Sequence, residues 1–299
     1  MRQLVRPRRT TNLWALILLL TPTFFFLAVF LLWPIVESFR LSTLDWDGLQ
    51  PEQQNVGLAN WTELVGDRVF WLAVRNSFLL MFTSICIQIP VALGLAVLLD
   101  RGAKRFRFFK VAFFFPMLMS SVAIAILFRN VYDYNFGLLN GLLSAVGLEN
   151  LTQDWLGDPK WAIWSVVLVV SWQFIPFYML LFLAALQGIP QDVREASVLD
   201  GTNDWQYSRL IQIPMLRGAI AVAILLIAIG SLKYFDLIWI MTGTGPDQST
   251  TVLATYMYEK AFRSYRVGYG AAISSALFLI VFFAALLVLR LTRRVREDV

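Results

Sequence analysis

The sequence predicts an all-α integral membrane protein with six transmembrane helices. Three observations carry that prediction. Of the 299 residues, 58% are hydrophobic and 15% charged, against about 45–50% and about 25% in a soluble globular chain. Apolar runs of the roughly 20 residues that a membrane helix needs recur along the whole chain. The charged residues cluster at the ends of those runs.

The first predicted span covers residues 13–36, behind a basic tail, "MRQLVRPRRTTN", at 1–12. Its apolar run exceeds the roughly 7–15 residues of a signal-peptide core and no small-residue cleavage site follows, which predicts a retained helix. The second span is placed at 76–99, the third at 111–128 and the fourth at 161–186. The fifth is placed at 218–241 and the sixth at 269–289, so that a membrane domain of six helices fills 13–290 and a second basic tail fills 291–299. There is no histidine, and the one cysteine, Cys86, lies inside an apolar run. Disulfides, His-based catalysis and the usual Cys/His zinc sites are thereby excluded. The net charge of +5 sits at span ends and reads as a topology signal, with the lipid bilayer and not nucleic acid as the partner.

With the N-terminus inside, the inner segments hold 16 Lys and Arg and the outer segments eight, with Lys233 inside a span. This bias predicts cytoplasmic termini. The outer segments 40–68 and 132–160 are moderately polar, and Trp46, Trp61, Trp71, Trp155 and Trp161 are expected near the outer interface, where indole rings are favoured.

One insert breaks the pattern. Residues 194–215, "REASVLDGTNDWQYSRLIQIPM", are polar and turn-rich between two apolar runs, within a cytoplasmic loop at 187–217. Pro190, Gln191 and Asp192 make a good helix start. The helix is expected to run to Leu199 and to end at Gly201 in the left-handed conformation. Thr202 or Asn203 then caps a second helix from Asp204 to about Ile211, and Pro214 is expected to break it before the fifth span. The product is a short rigid knob, unlike a flexible Gly/Ser tether.

Glu195, Ala196 and Ser197, then Gly201, then Ile211, Ile213 and Pro214 resemble the "EAA loop" of binding-protein-dependent ABC importer permeases: Glu-Ala-Ala, three residues, Gly, nine residues, Ile-x-Leu-Pro. Ser197 and Ile213 depart from the pattern by small changes. A second stretch, Phe235 to Ser274, is similar to the segment after the fifth span in sugar-importer permeases, with Thr244 in place of one glycine. It resembles the first of the two permeases of maltose-type systems, without that subunit's extra N-terminal helices. The resemblance implies a type I ABC importer permease fold in a prokaryotic plasma membrane. It also implies a second homologous permease, two ATPase subunits and an extracytoplasmic solute-binding protein as partners. The residues it marks for ATPase coupling are Glu195, Ala196, Ser197, Asp200, Gly201, Ile211 and Pro214. No Gly-x-x-x-x-Gly-Lys-Ser/Thr loop exists to cradle phosphates, so no enzymatic activity and no cofactor is expected in this chain, and ATP and Mg fall to the partner ATPases.

Polar residues at membrane depth face the protein interior or a water-filled path. They are Gln88, Ser120, Ser121, Gln173, Ser231, Lys233 and Asp236. Lys233 and Asp236, three apart, are expected to form a structural ion pair on a helix. Ser121, Gln173, Ser231 and Tyr234, with Phe174, offer neutral hydrogen-bonding groups beside aromatic faces, which suits a carbohydrate path. In the resembling maltose-type permeases, solute-contacting positions fall at these places. Serines also serve as helix-packing residues in membranes. An ion-coupled secondary transporter of small polar solutes is the alternative, but the chain shows no clear internal repeat, and Asp236 is the one carboxylate well inside a span.

Overall fold

A computed structural model describes the backbone of residues 13–101 and 107–297. The predicted tail at 1–12, the inner-loop residues Lys104 and Arg105, and the last two residues of the 291–299 tail lie outside the described residues.

Helix α1 (Leu13–Leu27) passes through one π-turn, Ala28–Leu32, into α2 (Trp33–Leu41), so the first span continues beyond residue 36. A two-stranded antiparallel ribbon, β1 (Leu44–Asp45) and β2 (Gln54–Asn55), leads to α3 (Ala59–Gly66) and the long α4 (Arg68–Arg101). Then come α5 (Arg107–Leu118), α6 (Ser121–Val131), α7 (Leu138–Ala145) and α8 (Ala162–Gln187). The insert forms α9 (Gln191–Leu199), α10 (Asp204–Tyr207) and α11 (Ile213–Met215), followed by α12 (Arg217–Leu232) and α13 (Asp236–Thr242). The chain closes with α14 (Leu253–Tyr258) and α15 (Val267–Glu297).

Four helices among the described residues are long and apolar enough to cross a membrane: Ile17–Leu41, Arg68–Asp100, Ala162–Gln187 and Val267–Leu291. A fifth is counted if Asp204–Met215 and Arg217–Leu232, bent by 65°, form one span. The chain is therefore a multi-pass membrane protein. The two remaining predicted spans are not continuous. The stretch at 111–128 is divided between α5 and α6 by Ser120, which is extended at φ −62 and ψ 137. The stretch at 218–241 is divided between α12 and α13, because Lys233 (φ −98, ψ 4) and Phe235 (φ −130, ψ −61) both leave the helix.

The axis of the fold is α8, packed along α4. Its first half buries Val166, Val167, Val169 and Val170 against Leu237, Ile238 and Met241 of α13 and Ile124 and Ala125 of α6. Its second half buries Tyr178, Met179, Phe182 and Leu186 against Leu93 and Leu99 of α4 and Leu216 and Ile227 around α12. Ala92 and Ala96 are fully buried there, small side chains that let α4 approach closely. The half-helices α6 and α13 thus lie at one end of α8 and the insert at the other.

A third cluster ties α3 and the start of α4 to α14 and the start of α15, through Leu64, Phe70, Leu253 and Tyr269. Tyr256 and Tyr269 both donate to the Asp67 carboxylate. Arg266 makes a two-pronged bond to Glu63, at 2.7 and 2.6 Å, and holds that carboxyl below its ordinary pKa. The predicted interfacial indoles are spent on these loops. Trp46 donates to the Gln50 carbonyl, Trp61 to Ser42 Oγ, Trp71 to the Val65 carbonyl and Trp155 to Asn140 Oδ1.

At the junction, Asn60 donates to the Ser42 and Leu44 carbonyls, and the Gly268 amide donates to the Trp46 carbonyl. A Cβ on Gly268 would lie 1.9 Å from the Leu44 carbonyl oxygen. Gly268→Ala must therefore push the ribbon off α15 and is expected to cost about 1–3 kcal/mol. Gly141→Ala, where nothing lies within 4 Å, should be neutral or gain about 0.5–1 kcal/mol. Thermal unfolding of the purified protein in detergent separates the two.

Candidate solute path and coupling knob

The helix breaks bring the predicted path residues together. Gln173, on α8, is buried; its amide nitrogen donates to Ser121 Oγ at 3.2 Å and its carbonyl oxygen accepts from the Tyr234 hydroxyl at 2.8 Å. Ser121 opens α6, just past the first break, and Tyr234 lies inside the second. The Phe174 ring meets Tyr234 edge-on, with centroids 5.8 Å apart and planes at 78°. Ser231 lines a cavity of about 40 Å³ with Gln88, Phe174, Gly230 and Tyr234. Transporters place binding groups at such interruptions, where irregular backbone lines a cavity and not lipid.

The cavity is far too small for a solute: small-molecule sites occupy about 300–1,000 Å³. The amide of Gln173 is already engaged on both sides. The set is thus a closed polar lock with no free volume for a small molecule.

Gln88, fully buried on α4, and Gly230 belong to the cavity but not to the predicted path set. The signal for Gln88 was its polarity at membrane depth, and for Gly230 its place beside Ser231.

The expected Lys233–Asp236 ion pair does not form. Ion pairs join Arg40 to Glu37 and Arg266 to Glu63, and none joins Lys233 to Asp236. The pairing needs one continuous helix turn, but the helix ends at Leu232 and restarts at Asp236, leaving both side chains exposed. Each instead sits at a half-helix end that suits its sign, Lys233 after the C-terminus of α12 and Asp236 in the first turn of α13.

At the other end of α8 the insert is a capped helix pair. Pro190 takes the N-cap position of α9, one residue before the helix. Gly201 has φ +75, in the left-handed region that glycine tolerates, and no heavy atom lies within 4 Å of where its Cβ would be. The turn thus requires glycine for its backbone and not for space. The Thr202 amide and hydroxyl both donate to the Ser197 carbonyl, at 3.1 and 2.7 Å. Asn203 and Gln206 cap α10 reciprocally, at 2.8 and 2.9 Å. The buried Ser197 hydroxyl is satisfied by the Arg194 carbonyl, which explains how serine replaces alanine without a buried orphan. Glu195, Ala196 and Asp200 are exposed, with Glu195 accepting from Gln191 at 2.8 Å.

The second helix departs from expectation. Pro214 does not break it. A π-turn at Ser208–Gln212 carries the chain past Ile211 into α11, whose second residue is Pro214, and the bend comes at Leu216 (φ −84, ψ 7). Proline is tolerated there because a first-turn amide needs no helical acceptor. Gln212, buried, accepts from Ser208 at 2.8 Å and donates to Asp100 at 3.4 Å, tying the knob to the end of α4. A groove of about 740 Å³ runs beside Asp100, Gln187, Arg194, Glu195 and Tyr207. The knob's tip exposes Val198, Leu199, Trp205 and Leu210, with Leu199 at 89% exposure. Exposed apolar clusters of this kind mark an interaction surface.

A model of the family described as binding-protein-dependent transport system inner membrane component matches residues 88–297, from the middle of α4 through the knob to α15. The chain belongs to this family. Among its relatives is a probable ABC transporter permease protein of Pyrococcus horikoshii, 35% identical over 93% of this chain and 96% of that one. The lactose transport system permease protein of Rhizobium radiobacter is 33% identical, over 88% and 89% of the two chains. In fold, the permease resembles a chain of a bacterial alginate ABC transporter solved in complex with an alginate pentasaccharide-bound periplasmic protein, with a TM-score of 0.83 at 22% identity and 94% and 95% coverage.

In this binding-protein-dependent permease, the polar lock should be energetically coupled. Tyr234→Phe removes one hydrogen bond and should cost about 0.5–1.5 kcal/mol, and Gln173→Leu, which strands two hydroxyls, about 1–3 kcal/mol. The double variant should cost less than their sum by about 0.5 kcal/mol or more. Additive losses in detergent unfolding midpoints would mean that the two side chains do not bond.

Proposed function

We propose that this chain is one of two permeases of an ATP-driven importer and supplies half of the path for a carbohydrate delivered by an extracytoplasmic binding protein. The observation that carries the carbohydrate reading is the Ser121–Gln173–Tyr234 set with Phe174. It offers hydroxyl, amide and aromatic groups, and no charged group bonds to it. Relatives named for lactose and for trehalose and maltose transport support the same solute class. The cavity is too small for a sugar, so the path is shared with the second permease and opens during the cycle.

In this proposal α5 with α6, and α12 with α13, each cross the membrane as a broken span, giving six crossings. The 16-to-8 bias of basic residues puts both termini and the knob in the cytoplasm of a prokaryotic cell. The knob seats in a cleft of a partner ATPase, and two such subunits bind ATP and Mg. Glu195 and Asp200 present charge, Ala196 leaves room for close approach, and the exposed apolar tip supplies buried area. Ser197, Gly201, Ile211 and Pro214 hold the shape. A rigid knob transmits a two-state motion because packed elements switch and do not bend. A secondary transporter would have no use for an exposed apolar tip on such a knob.

Gly201→Val forces a β-branched residue into a left-handed conformation, at about 1–2 kcal/mol, and Glu195→Lys reverses the charge presented. Each should abolish solute-stimulated ATP hydrolysis by the assembled transporter while the chain remains in the membrane. Wild-type uptake in both variants would remove the knob from the mechanism.

A further inference from the structure

The proposed path accounts for the helix breaks but not for a second, larger concavity. At the end of the molecule away from the knob, α13, its following turn and the π-turn Glu259–Arg263 enclose a cleft of about 440 Å³. This lies within the size range of small-molecule sites. Its lining includes Trp239, Thr242, Thr244, Glu259 and Arg263.

Trp239 is held in place from two sides. Phe235 stacks on it at 5.8 Å and 15°, and Tyr258 meets it edge-on at 4.8 Å. The Arg263 guanidinium lies over the ring at 5.8 Å, near the far limit of a cation–π contact. Glu259 and Arg263 stand four residues apart, a spacing at which opposite charges pair on an α-helix. The π-turn widens the helix there, and no ion pair joins them. Both residues line the cleft. The loop beside it is conformationally costly: Asp247 and Gln248, neither of them glycine, have φ of 49 and 60.

We propose that this cleft is a second carbohydrate subsite, which takes one glycosyl unit of the solute before it reaches the polar lock. The apolar face of a sugar ring replaces Arg263 over the Trp239 ring. Glu259 accepts from a pair of hydroxyls, Arg263 donates to ring or hydroxyl oxygens, and Thr242 and Thr244 complete the polar rim. The lock lies before the start of α13, and the cleft is lined from Trp239, in the middle of that helix, to Thr244 beyond its end. A solute that reaches from the lock to the far end of the cleft passes the whole helix, about 10 Å, and is therefore an oligosaccharide. The inference rests on the carbohydrate reading of the path.

The test uses the complete transporter, with both permeases, both ATPases and the binding protein, in liposomes. The probes are radiolabelled glucose, maltose, maltotriose, cellobiose, cellotriose, lactose and trehalose. Trp239→Ala should lower kcat/KM for the carried di- or trisaccharide about three- to tenfold. Trp239→Phe should recover most of that loss, Glu259→Gln should reproduce part of it, and stimulation of ATP hydrolysis by the sugar-free binding protein should stay unchanged. Wild-type rates in Trp239→Ala and Glu259→Gln would overturn the subsite and leave the carbohydrate reading standing. So would preferred uptake of glucose, or loss of stimulation by the sugar-free binding protein, which would make the cleft a protein-docking face. A wild-type transporter that moves none of the sugars would overturn the carbohydrate reading itself and the subsite with it.

Discussion

A chain that leaves the helix inside a membrane must find new partners for its freed polar groups, because lipid offers none. In the proposed six-crossing arrangement this chain leaves the helix twice at membrane depth, at Ser120 and at Lys233 to Phe235. Both interruptions lie beside α8, and one side chain, Gln173, bonds to a residue from each. The position of α6 and α13 follows, since both pack on the same valine-rich half of α8. The rest of the architecture is arranged around that bridge: a unit of half-helices at one end of α8, and the knob at the other.

The same helix joins the two ends. From the buried valines, α8 runs without interruption through Pro176 to Gln187, and Gly188 to Pro190 lead directly into α9. In the proposed mechanism a displacement of the knob reaches Gln173 through this three-residue linker and then along a packed helix. The knob's internal bonds favour the same outcome. The Thr202 and Asn203 caps fix the angle between α9 and α10, and the Gln212–Asp100 contact fixes the pair to α4. The apolar tip is left outward, uncovered among the described residues.

Much of this was legible in the sequence, for identifiable reasons. The knob's helix pair, its glycine turn and its Asn203 cap follow from local rules, and local rules hold wherever tertiary packing does not oppose them. The polar residues that meet at Gln173 were visible because polarity at membrane depth is costly and rarely incidental. What escaped was backbone geometry. Hydropathy cannot tell a continuous apolar helix from one interrupted at Ser120 or Lys233, since both are equally apolar on average. The Lys233–Asp236 pair failed for that reason: spacing predicts contact only if the helix is unbroken. Pro214 was misplaced because a proline signals a break only in a helix interior, and a π-turn upstream turned its position into a helix start.

The central claim is that the two breaks border a water-filled solute path. Cysteine accessibility at Ser231 tests it most directly, in a Cys86→Ala background that removes the exposed native thiol. In the assembled transporter undergoing ATP hydrolysis, Ser231→Cys should react with a membrane-impermeant thiol reagent, and the carried solute should slow that reaction. A cysteine at Ser231 that stays inert in both resting and hydrolysing transporter, while uptake remains intact, would contradict the account and leave the Gln173 bridge a packing feature only.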